Sequence, residues 1–340
     1  MESLDCASLE SILIENPNRF TLLPIQYHDI YKMYKDLISV RWIVEEVDMS
    51  KDRHQFESLK NGEQHFIKCI LGFFAGSDGI VCENLAMNFC NEVQIPEAKA
   101  FYCEQLSNET VHNETYSTLI DTYFPDKEEK YNVLQAINTM PFVAKKANWA
   151  IKWMRVSGTP GTQPVVDRTS SFASRLMAFA IVEGVFFSGA FCAIYYFKER
   201  NLLKGLTLAN EFISRDEGLH TDFACLLYRK LNYKLTTQDA HKLIEEAVSI
   251  EKEFILEALP CSLIGMNSEL MSQYIEFVAD RILLQLGYSK LYNKTNPFSF
   301  MERISLESKD NFFEKKVSTY ALANCGKSAN EMKFATDYDF

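Results

Sequence analysis

Two pairs of residues share a spacing that places a carboxylate and an imidazole on one face of a helix. Glu109 precedes His112 by three residues, and Glu217 precedes His220 by three. Residues three apart on an α-helix lie about one turn apart on the same face, so each pair can offer two ligands to a metal ion. Such pairs also arise by chance, and their interpretation therefore depends on the segments around them.

Each pair is preceded by a lone carboxylate in an apolar segment. Asp78 lies 31 residues before Glu109, and Glu183 lies 34 residues before Glu217. A carboxylate buried in an apolar helix is costly without a cation. For Asp78 a partly solvated bend at residues 77–79 is an open alternative. A carboxylate followed by Glu-x-x-His thus occurs twice, which is the ligand pattern of a dinuclear site inside a four-helix bundle.

The predicted site is balanced in charge, because four carboxylates offset two divalent ions. Carboxylate and imidazole ligands suit iron or manganese. We therefore predict an all-α protein, a ferritin-like helical bundle with a central four-helix di-metal site. The six predicted ligands are Asp78, Glu109, His112, Glu183, Glu217 and His220.

The most apolar segment, residues 178–197, is long enough to span a membrane. Glu183 lies within it, however, and we find no second span of this kind in the sequence. A helix that is hydrophobic all round is also expected at the centre of a large helical bundle. We favour the buried helix and expect no membrane association.

Composition and charge bear on partners and location. A net charge of -11 leaves no basic stripe to neutralise phosphates, so we expect no binding to nucleic acid. The nine cysteines include no Cys-x-x-Cys motif, and residues 1–15 are acidic without a basic segment. These features are typical of a reducing compartment, and we expect a cytoplasmic protein.

Apolar residues at helical spacing predict about eight long helices and little sheet. Residues 157–171 begin with a dense cluster of Gly, Pro and Thr, which predicts a surface loop inserted within one domain. Helical periodicity is lost before residue 317. We therefore divide the chain into a helical domain, residues 1–316, and a flexible tail, residues 317–340. Most such tails are inert, and some dock onto partners.

Two aromatic side chains are also of interest. Tyr116 lies four residues after His112 and shares its helix face. Trp42 lies near the end of a helix predicted over residues 25–44. Both also have common structural explanations, a buried tyrosine with one hydrogen bond and a large aromatic residue of the core.

Seven longer motifs carry a resemblance to a known family. They are NPxRF at 16–20, WxxEEVD at 42–48, FFAxSDGI at 73–80, ExxHxxxY at 109–116, VEGxFFSG at 182–189, ISRDEGLH at 213–220 and QYIEFVADR at 273–281. Over nearly its whole length the chain resembles the small, radical-harbouring subunit of class I ribonucleotide reductase, in its eukaryotic-type form. Every predicted metal ligand falls within one of these motifs.

The resemblance implies a di-iron centre formed by the six ligands, with manganese as the less favoured metal. Tyr116 would be oxidised to a stable tyrosyl radical when the reduced metal pair meets oxygen. Phe187, Phe191 and Ile213 would separate that radical from solvent and reductants. The implied activity is that of a ribonucleoside-diphosphate reductase small subunit, active only with its large subunit.

The resemblance also implies a route and a partner for the radical. Trp42 and Asp216 would begin the transfer route, and Tyr320 would continue it in the tail. The last residues, through Phe340, would dock onto the large subunit, which holds the substrate. We further expect a homodimer.

Two other functions would use the same site. One is a di-iron oxidase acting on its own substrate, which would have no use for Trp42, Asp216 or Tyr320. The other is a non-catalytic scaffold or a metal-storage protein. Tyr116 and the docking-like tail count against both. The chain departs from the family in the 157–171 loop, which is roughly ten residues longer than usual, and in a short N-terminal extension, but no ligand is substituted.

Overall fold

The computed structural model describes residues 10–17, 20–154, 165–258 and 267–301, and in these ranges the protein is helical and has no strand. The α-helices are α1 His28–Ile38, α2 Asp52–Glu57, α3 Asn61–Asn84, α4 Cys90–Glu92, α5 Pro96–Tyr123, α6 Lys127–Leu134, α7 Ala136–Thr139, α8 Pro141–Met154, α9 Val165–Ile181, α10 Ser188–Glu199, α11 Lys204–Lys230, α12 Thr237–Ala258 and α13 Ser268–Leu286. Two 3₁₀ turns lie at Ser11–Leu13 and Val44–Glu46, and two π-helical turns at Leu85–Phe89 and Val182–Phe186. The predicted all-α class is confirmed.

Local sequence signals set several helix ends. Pro96 is the first residue of α5, where its missing N–H costs nothing. The side chain of Asn267 accepts a hydrogen bond from the Leu270 N–H at 2.9 Å and caps α13. Gly287 ends that helix in the left-handed region, with φ +94°, which favours glycine. Each of these residue types is one that marks a helix start or stop in a sequence.

The first long helix is shorter than predicted. The prediction placed a helix over residues 25–44, whereas α1 ends at Ile38. Ser39 caps this end, since its hydroxyl donates to the Asp36 carbonyl at 2.7 Å. Trp42 therefore lies in an irregular segment before the 3₁₀ turn, and this segment leaves α1 to reach the centre of the bundle.

The predicted loop at 157–171 is also shorter than expected. The helix α9 begins at Val165, so residues 165–171 are helical, and the prediction for them was wrong. Pro164 is the last strong helix breaker of the cluster, which explains why the helix can start directly after it. The rest of the loop, residues 157–164, lies outside the described residues.

The compact unit of the chain ends at Pro297, earlier than the boundary expected at residue 316. The second unit, residues 298–340, is described only as far as Met301. The predicted tail, residues 317–340, lies outside the described residues, and both the tail and Tyr320 within it stay predictions.

Four helical elements form the centre of the first unit. The helix α3 packs against α5, α9 and the Val182–Phe186 turn pack against α11, and α11 packs against α5. These elements carry the two lone carboxylates and the two Glu-x-x-His pairs of the sequence analysis. The two halves of the sequence pattern thus meet in one four-helix arrangement.

Two stretches are long and apolar enough to cross a membrane, Asn61–Glu92 and Phe172–Glu199. The first was not recognised in the sequence analysis, where polar residues interrupt it. In the structure 61% of the most apolar part of the first stretch and 94% of that of the second is buried inside the protein. Both are core helices of the bundle, as predicted for residues 178–197.

Candidate metal centre

The six predicted ligands lie together at the centre of the four-helix arrangement, and each is at most 2% exposed. The helix α3 provides Asp78, α5 provides a Glu-His pair, the π-helical turn provides Glu183, and α11 provides the second Glu-His pair. The open alternative of a solvated bend at Asp78 is excluded, because Asp78 is 1% exposed within a continuous helix.

The side chains fall into two overlapping groups. One consists of Asp78, Glu109 and His112, and the other of Glu109, Glu183, Glu217 and His220. Within each group, one ligand atom per residue lies within 4.8 Å of all the others. Glu109 belongs to both groups, so the two groups form one cluster with the ligand set of a dinuclear site.

The two imidazoles turn the same nitrogen toward the carboxylates. His112 Nδ1 lies 3.1 Å from Glu217 Oε1, and His220 Nδ1 lies 3.1 Å from Glu217 Oε2. On the other side of its ring, His112 Nε2 lies 3.2 Å from Asp216 Oδ2. A carboxylate that accepts from one ring nitrogen leaves the other nitrogen free for a metal. Asp216 thus orients a histidine on a different helix.

Glu183 has one amide partner, which the sequence analysis missed. Gln105 Nε2 donates to Glu183 Oε1 at 3.1 Å, and both side chains are buried. Gln105 lies one turn before Glu109 on α5, so its position on the ligand face was a signal in the sequence.

Several carboxylate oxygens of the cluster have no hydrogen-bond partner. These buried atoms are Asp78 Oδ2, Glu109 Oε1 and Oε2, and Glu183 Oε2. Buried polar atoms in folded proteins are nearly always satisfied, and the exceptions need an explanation such as an ion. The donor set of carboxylate oxygen and imidazole nitrogen fits a pair of divalent transition metals.

The pKa shifts of the metal-free protein also indicate a site for cations. Burial, reinforced by neighbouring carboxylates, raises the pKa of Asp78 and of Glu183 well above the usual range. Burial also tends to raise the pKa of Glu217, but nearby His220 and hydrogen bonds with other cluster members lower it overall. The pKa of His220 rises to about 9 against the effect of burial, because Glu217 and Glu109 surround it. Without a cation the cluster therefore holds extra protons, which bound metal would displace.

Tyr116 is 3% exposed and close enough to the cluster to interact electrostatically with Asp78, Glu109 and Glu217. Its ring stacks on Phe74, with ring centres 4.6 Å apart, and Phe74 in turn contacts Phe187 and Phe191 at 5.6 and 5.2 Å. Ile213 is also buried. Phe74, which was not among the predicted pocket residues, is the ring in contact with Tyr116. It precedes Asp78 by one turn of α3, so its position on the ligand face could have indicated this role.

A chain of contacts leads from the cluster toward the protein surface. Trp42 Nε1 donates to Asp216 Oδ2 at 2.8 Å, the same oxygen that faces His112. Arg215 donates to the other oxygen of Asp216 at 3.1 Å and to the Val40 carbonyl at 2.6 Å. The predicted pair Trp42 and Asp216 is therefore in direct contact, and Arg215, which the sequence analysis did not single out, holds both segments together.

Comparison with known proteins agrees with this site. The family model described as ribonucleotide reductase, small chain, matches residues 19–297. The chain belongs to the ribonucleotide reductase small-chain family. The ribonucleoside-diphosphate reductase small chain of Trypanosoma brucei brucei is 55% identical over 97% of this chain and 95% of its own length. That of Spisula solidissima is 53% identical over 98% of this chain and 84% of its own length.

A solved structure supports the same family. The ribonucleotide reductase Rnr4 homodimer from Saccharomyces cerevisiae is similar with a TM-score of 0.76 and 37% identity, over 91% of this chain and 92% of that chain. The protein is thus a small subunit of ribonucleoside-diphosphate reductase, an oxidoreductase that works with a large subunit, and it has the ferritin-like fold of that family. Membership of this family and the buried carboxylate and histidine cluster together indicate a di-metal site.

Proposed function

We propose that the di-metal site binds two iron ions and that Tyr116 is oxidised to a stable tyrosyl radical. The observation that carries this proposal is the set of buried, unpartnered carboxylate oxygens beside a buried phenol that interacts electrostatically with the same carboxylates. A reduced iron pair with open positions would supply oxygen activation. The proposed ligands are the six side chains named above, and Glu109, which belongs to both groups of side chains, would contribute to each.

Iron is preferred over manganese in this proposal. The donor set alone suits both metals, so the choice depends on the oxidation of Tyr116. We expect iron-loaded, oxygenated protein to form the radical, and protein loaded with manganese alone under the same conditions to form none. Metal analysis beside electron paramagnetic resonance measures both quantities. A radical of equal yield with manganese would contradict the choice of iron.

The surroundings of Tyr116 suit a long-lived radical. Burial and the cluster carboxylates raise the pKa of Tyr116 well above its usual range, so the resting phenol keeps its proton. Phe74, Phe187, Phe191 and Ile213 are all buried, and rings and aliphatic groups offer a radical no hydrogen bond and little water. These side chains would exclude the reductants that quench a radical.

The contacts from His112 through Asp216 to Trp42 support a transfer route. We propose that the oxidising equivalent passes along this chain toward the large subunit and then through Tyr320 in the tail. Arg215 would keep Asp216 aligned between its two partners. A di-iron oxidase that works alone would have no use for this route.

The remaining parts of the proposal concern assembly and location. Residues through Phe340 would dock onto the large subunit by their acidic and aromatic side chains. A homodimer is proposed because the similar yeast structure is that of a homodimer. A cytoplasmic location is proposed from the cysteine usage of the chain.

The radical assignment is tested by electron paramagnetic resonance of iron-loaded, oxygenated protein. Tyr116→Phe should bind two irons and show no tyrosyl signal. Tyr102→Phe is the matched control, because Tyr102 lies on the same helix, is fully buried and has a hydroxyl without a hydrogen-bond partner. The control should keep the signal of the unaltered protein. A persisting signal in Tyr116→Phe would place the radical elsewhere.

The tail is tested by two variants that leave the metal site intact. Deletion of residues 334–340 should preserve iron binding and radical formation but abolish binding to the large subunit. Tyr320→Phe should bind the large subunit and fail to support turnover. The docking role is wrong if the truncated protein binds and turns over normally. The transfer role is wrong if Tyr320→Phe is fully active.

A further inference from the structure

An ion pair lies in the protein interior outside the metal cluster. Lys146 of α8 and Glu251 of α12 are both fully buried, with Nζ 2.6 Å from Oε2. Nζ also lies 3.4 Å and 3.9 Å from the ring centres of Phe73 and Phe254. Removing two charges from water is costly, and apolar residues of similar volume are often as stable or more stable. Stability alone therefore does not account for this pair.

Lys146 also contacts the segment that carries a metal ligand. Its Nζ donates to the Phe186 carbonyl at 2.7 Å. Phe186 is the last residue of the π-helical turn Val182–Phe186, which contains Glu183. A π-helical turn interrupts the regular hydrogen-bond ladder of a helix, and its carbonyls are open to other donors. The ammonium group supplies such a donor at the end of this turn.

Glu251 lies against the chain directly after the same turn. A Cβ atom at Gly189 would lie 2.7 Å from Glu251 Oε1 and 2.9 Å from Ile255 Cδ1. A side chain at Gly189 would force Glu251 or Ile255 to move, so the glycine allows this close approach of α10 to α12. The ion pair therefore contacts the backbone at Phe186 and at Gly189, on both sides of Phe187.

The pair is also connected to the surroundings of Tyr116. Phe73, which lies under the ammonium group, contacts Phe187 and Phe74 with ring centres 5.5 and 5.7 Å apart. Phe74 stacks on Tyr116. Two rings in succession, Phe73 and Phe74, thus connect the ion pair with the proposed radical site.

We propose that Lys146 and Glu251 are positioning residues that hold the Val182–Phe186 turn in its π-helical form and thereby fix Glu183 and Phe187. The expected effect on the metal and the radical rests on the di-iron function proposed above. The expected effect on the backbone of the turn does not. The positioning role predicts that the protein still folds when apolar residues replace Lys146 and Glu251. It also predicts that the Val182–Phe186 turn, and with it Glu183, becomes less ordered.

The test is the double variant Lys146→Met/Glu251→Leu, which keeps apolar contacts and removes both charges. The matched control is Lys145→Met/Glu253→Gln, because Lys145 and Glu253 form an ion pair between the same two helices that is about half exposed. Amide hydrogen exchange of residues 182–190 in metal-free protein is measured first. We expect about tenfold faster exchange in the double variant than in the unaltered protein, and no change in the control.

Anaerobic iron titration then measures the affinity of each iron-binding step. The binding step that is weakened in Glu183→Ala is taken as the step to which Glu183 contributes. In the double variant we expect this step to weaken about tenfold, a typical loss when a supporting contact of a ligand is removed. The other binding step should stay within about twofold of the unaltered protein. A purely structural role would instead weaken both steps together with folding.

The outcomes separate the two proposals. Unaltered protein that binds fewer than two irons would overturn the di-iron function, while the exchange measurement would still decide the role of the ion pair. Unchanged exchange in the double variant, or equal weakening of both binding steps, would overturn the positioning role. If the double variant does not fold, Glu251→Gln keeps the volume and is decided by the same two measurements.

Discussion

Two buried clusters of charged side chains in this bundle are neutralised in different ways. Lys146 and Glu251 balance each other within one ion pair. The metal cluster instead combines four carboxylates with two imidazoles, and among the described residues the ion pairs of these carboxylates are with histidine alone. The first cluster thus contains its own cation, the Lys146 ammonium group, whereas the second contains no lysine or arginine. Buried charge alone therefore does not mark a metal site, but a group of buried carboxylates without such a cation does.

The largest expected effect is a loss of metal affinity when Glu217, which contacts both histidines of the cluster, is replaced. Glu217 lies 3.1 Å from Nδ1 of both His112 and His220, so Glu217→Ala removes a ligand from both sides of the site. We expect metal affinity to fall by more than about 100-fold, beyond the 10–100-fold typical for supporting residues. Anaerobic iron titration and metal analysis measure this loss. Glu253→Gln, a change of an exposed carboxylate, serves as control, and two irons bound at unaltered affinity in Glu217→Ala would contradict the ligand role.

For the buried pair Lys146 and Glu251 we instead expect the free energy of unfolding to depend on pH. Burial raises the pKa of Glu251 from 4.5 to about 7, so its contribution to stability is complete below pH 4.5 and is lost as the pH rises through 7. Burial lowers the pKa of Lys146 from 10.5 to about 8, so its contribution is present above pH 10.5 and is lost as the pH falls through 8. The pair is therefore least favourable between about pH 7 and 8.

The Lys146→Met/Glu251→Leu variant checks this dependence. We expect it to exceed the unaltered protein in unfolding free energy by about 1–4 kcal/mol at pH 7.5, the range found for apolar replacement of buried ion pairs. The difference should shrink at pH 5 and at pH 9.5. Chemical denaturation of metal-free protein measures it. A difference that does not vary with pH would show that titration of the pair is not its cause.

A smaller effect is expected from the amide that supports Glu183. Gln105→Leu removes the hydrogen bond of 3.1 Å to Glu183 Oε1. We expect about tenfold weaker binding at the step that Glu183→Ala identifies. The unfolding free energy should change by only about 0.5–1.5 kcal/mol, the usual net value of one hydrogen bond. Titration and denaturation measure both, and unaltered metal binding would show that Gln105 has no part in orienting Glu183.

The smallest effect is expected at the surface. Lys145 and Glu253 connect the same helices as the buried pair, but their side chains are 49% and 46% exposed. Solvent screens such a pair, so Lys145→Met/Glu253→Gln should change the unfolding free energy by less than about 1 kcal/mol at every pH tested. Its iron titration should match that of the unaltered protein. A larger change would mean that position on these two helices, rather than burial, sets the energetics of the buried pair.

The helical architecture was predictable because its signals are local. Apolar periodicity predicted the long helices, and the residue types at their ends, Pro96, Asn267 and Gly287, are local helix start and stop signals. Errors arose where local signals compete. The periodicity after Ile38 suggested a longer helix than the Ser39 cap permits, and the breakers before Val165 suggested a longer loop than exists.

The grouping of the six candidate ligands was predictable for a related reason. Each Glu-x-x-His pair is a contact within one helix, and the recurrence of a carboxylate before each pair indicated how the two halves combine. Contacts between helices gave no such signal. The stacking of Phe74 on Tyr116 and the hydrogen bond from Gln105 to Glu183 depend on which helix faces lie opposite each other.

The sequence by itself determined the all-α class, the buried helix at residues 178–197 and the identity of six side chains with metal-ligand chemistry. Only the tertiary structure decided that Asp216 joins Trp42 to His112, residues separated by 174 and 104 positions from it. It also decided that Lys146 meets Glu251 and the Phe186 carbonyl in the interior. The physical reason is range: helical periodicity acts over three or four residues, whereas the pairing of buried charges is fixed by how whole helices pack.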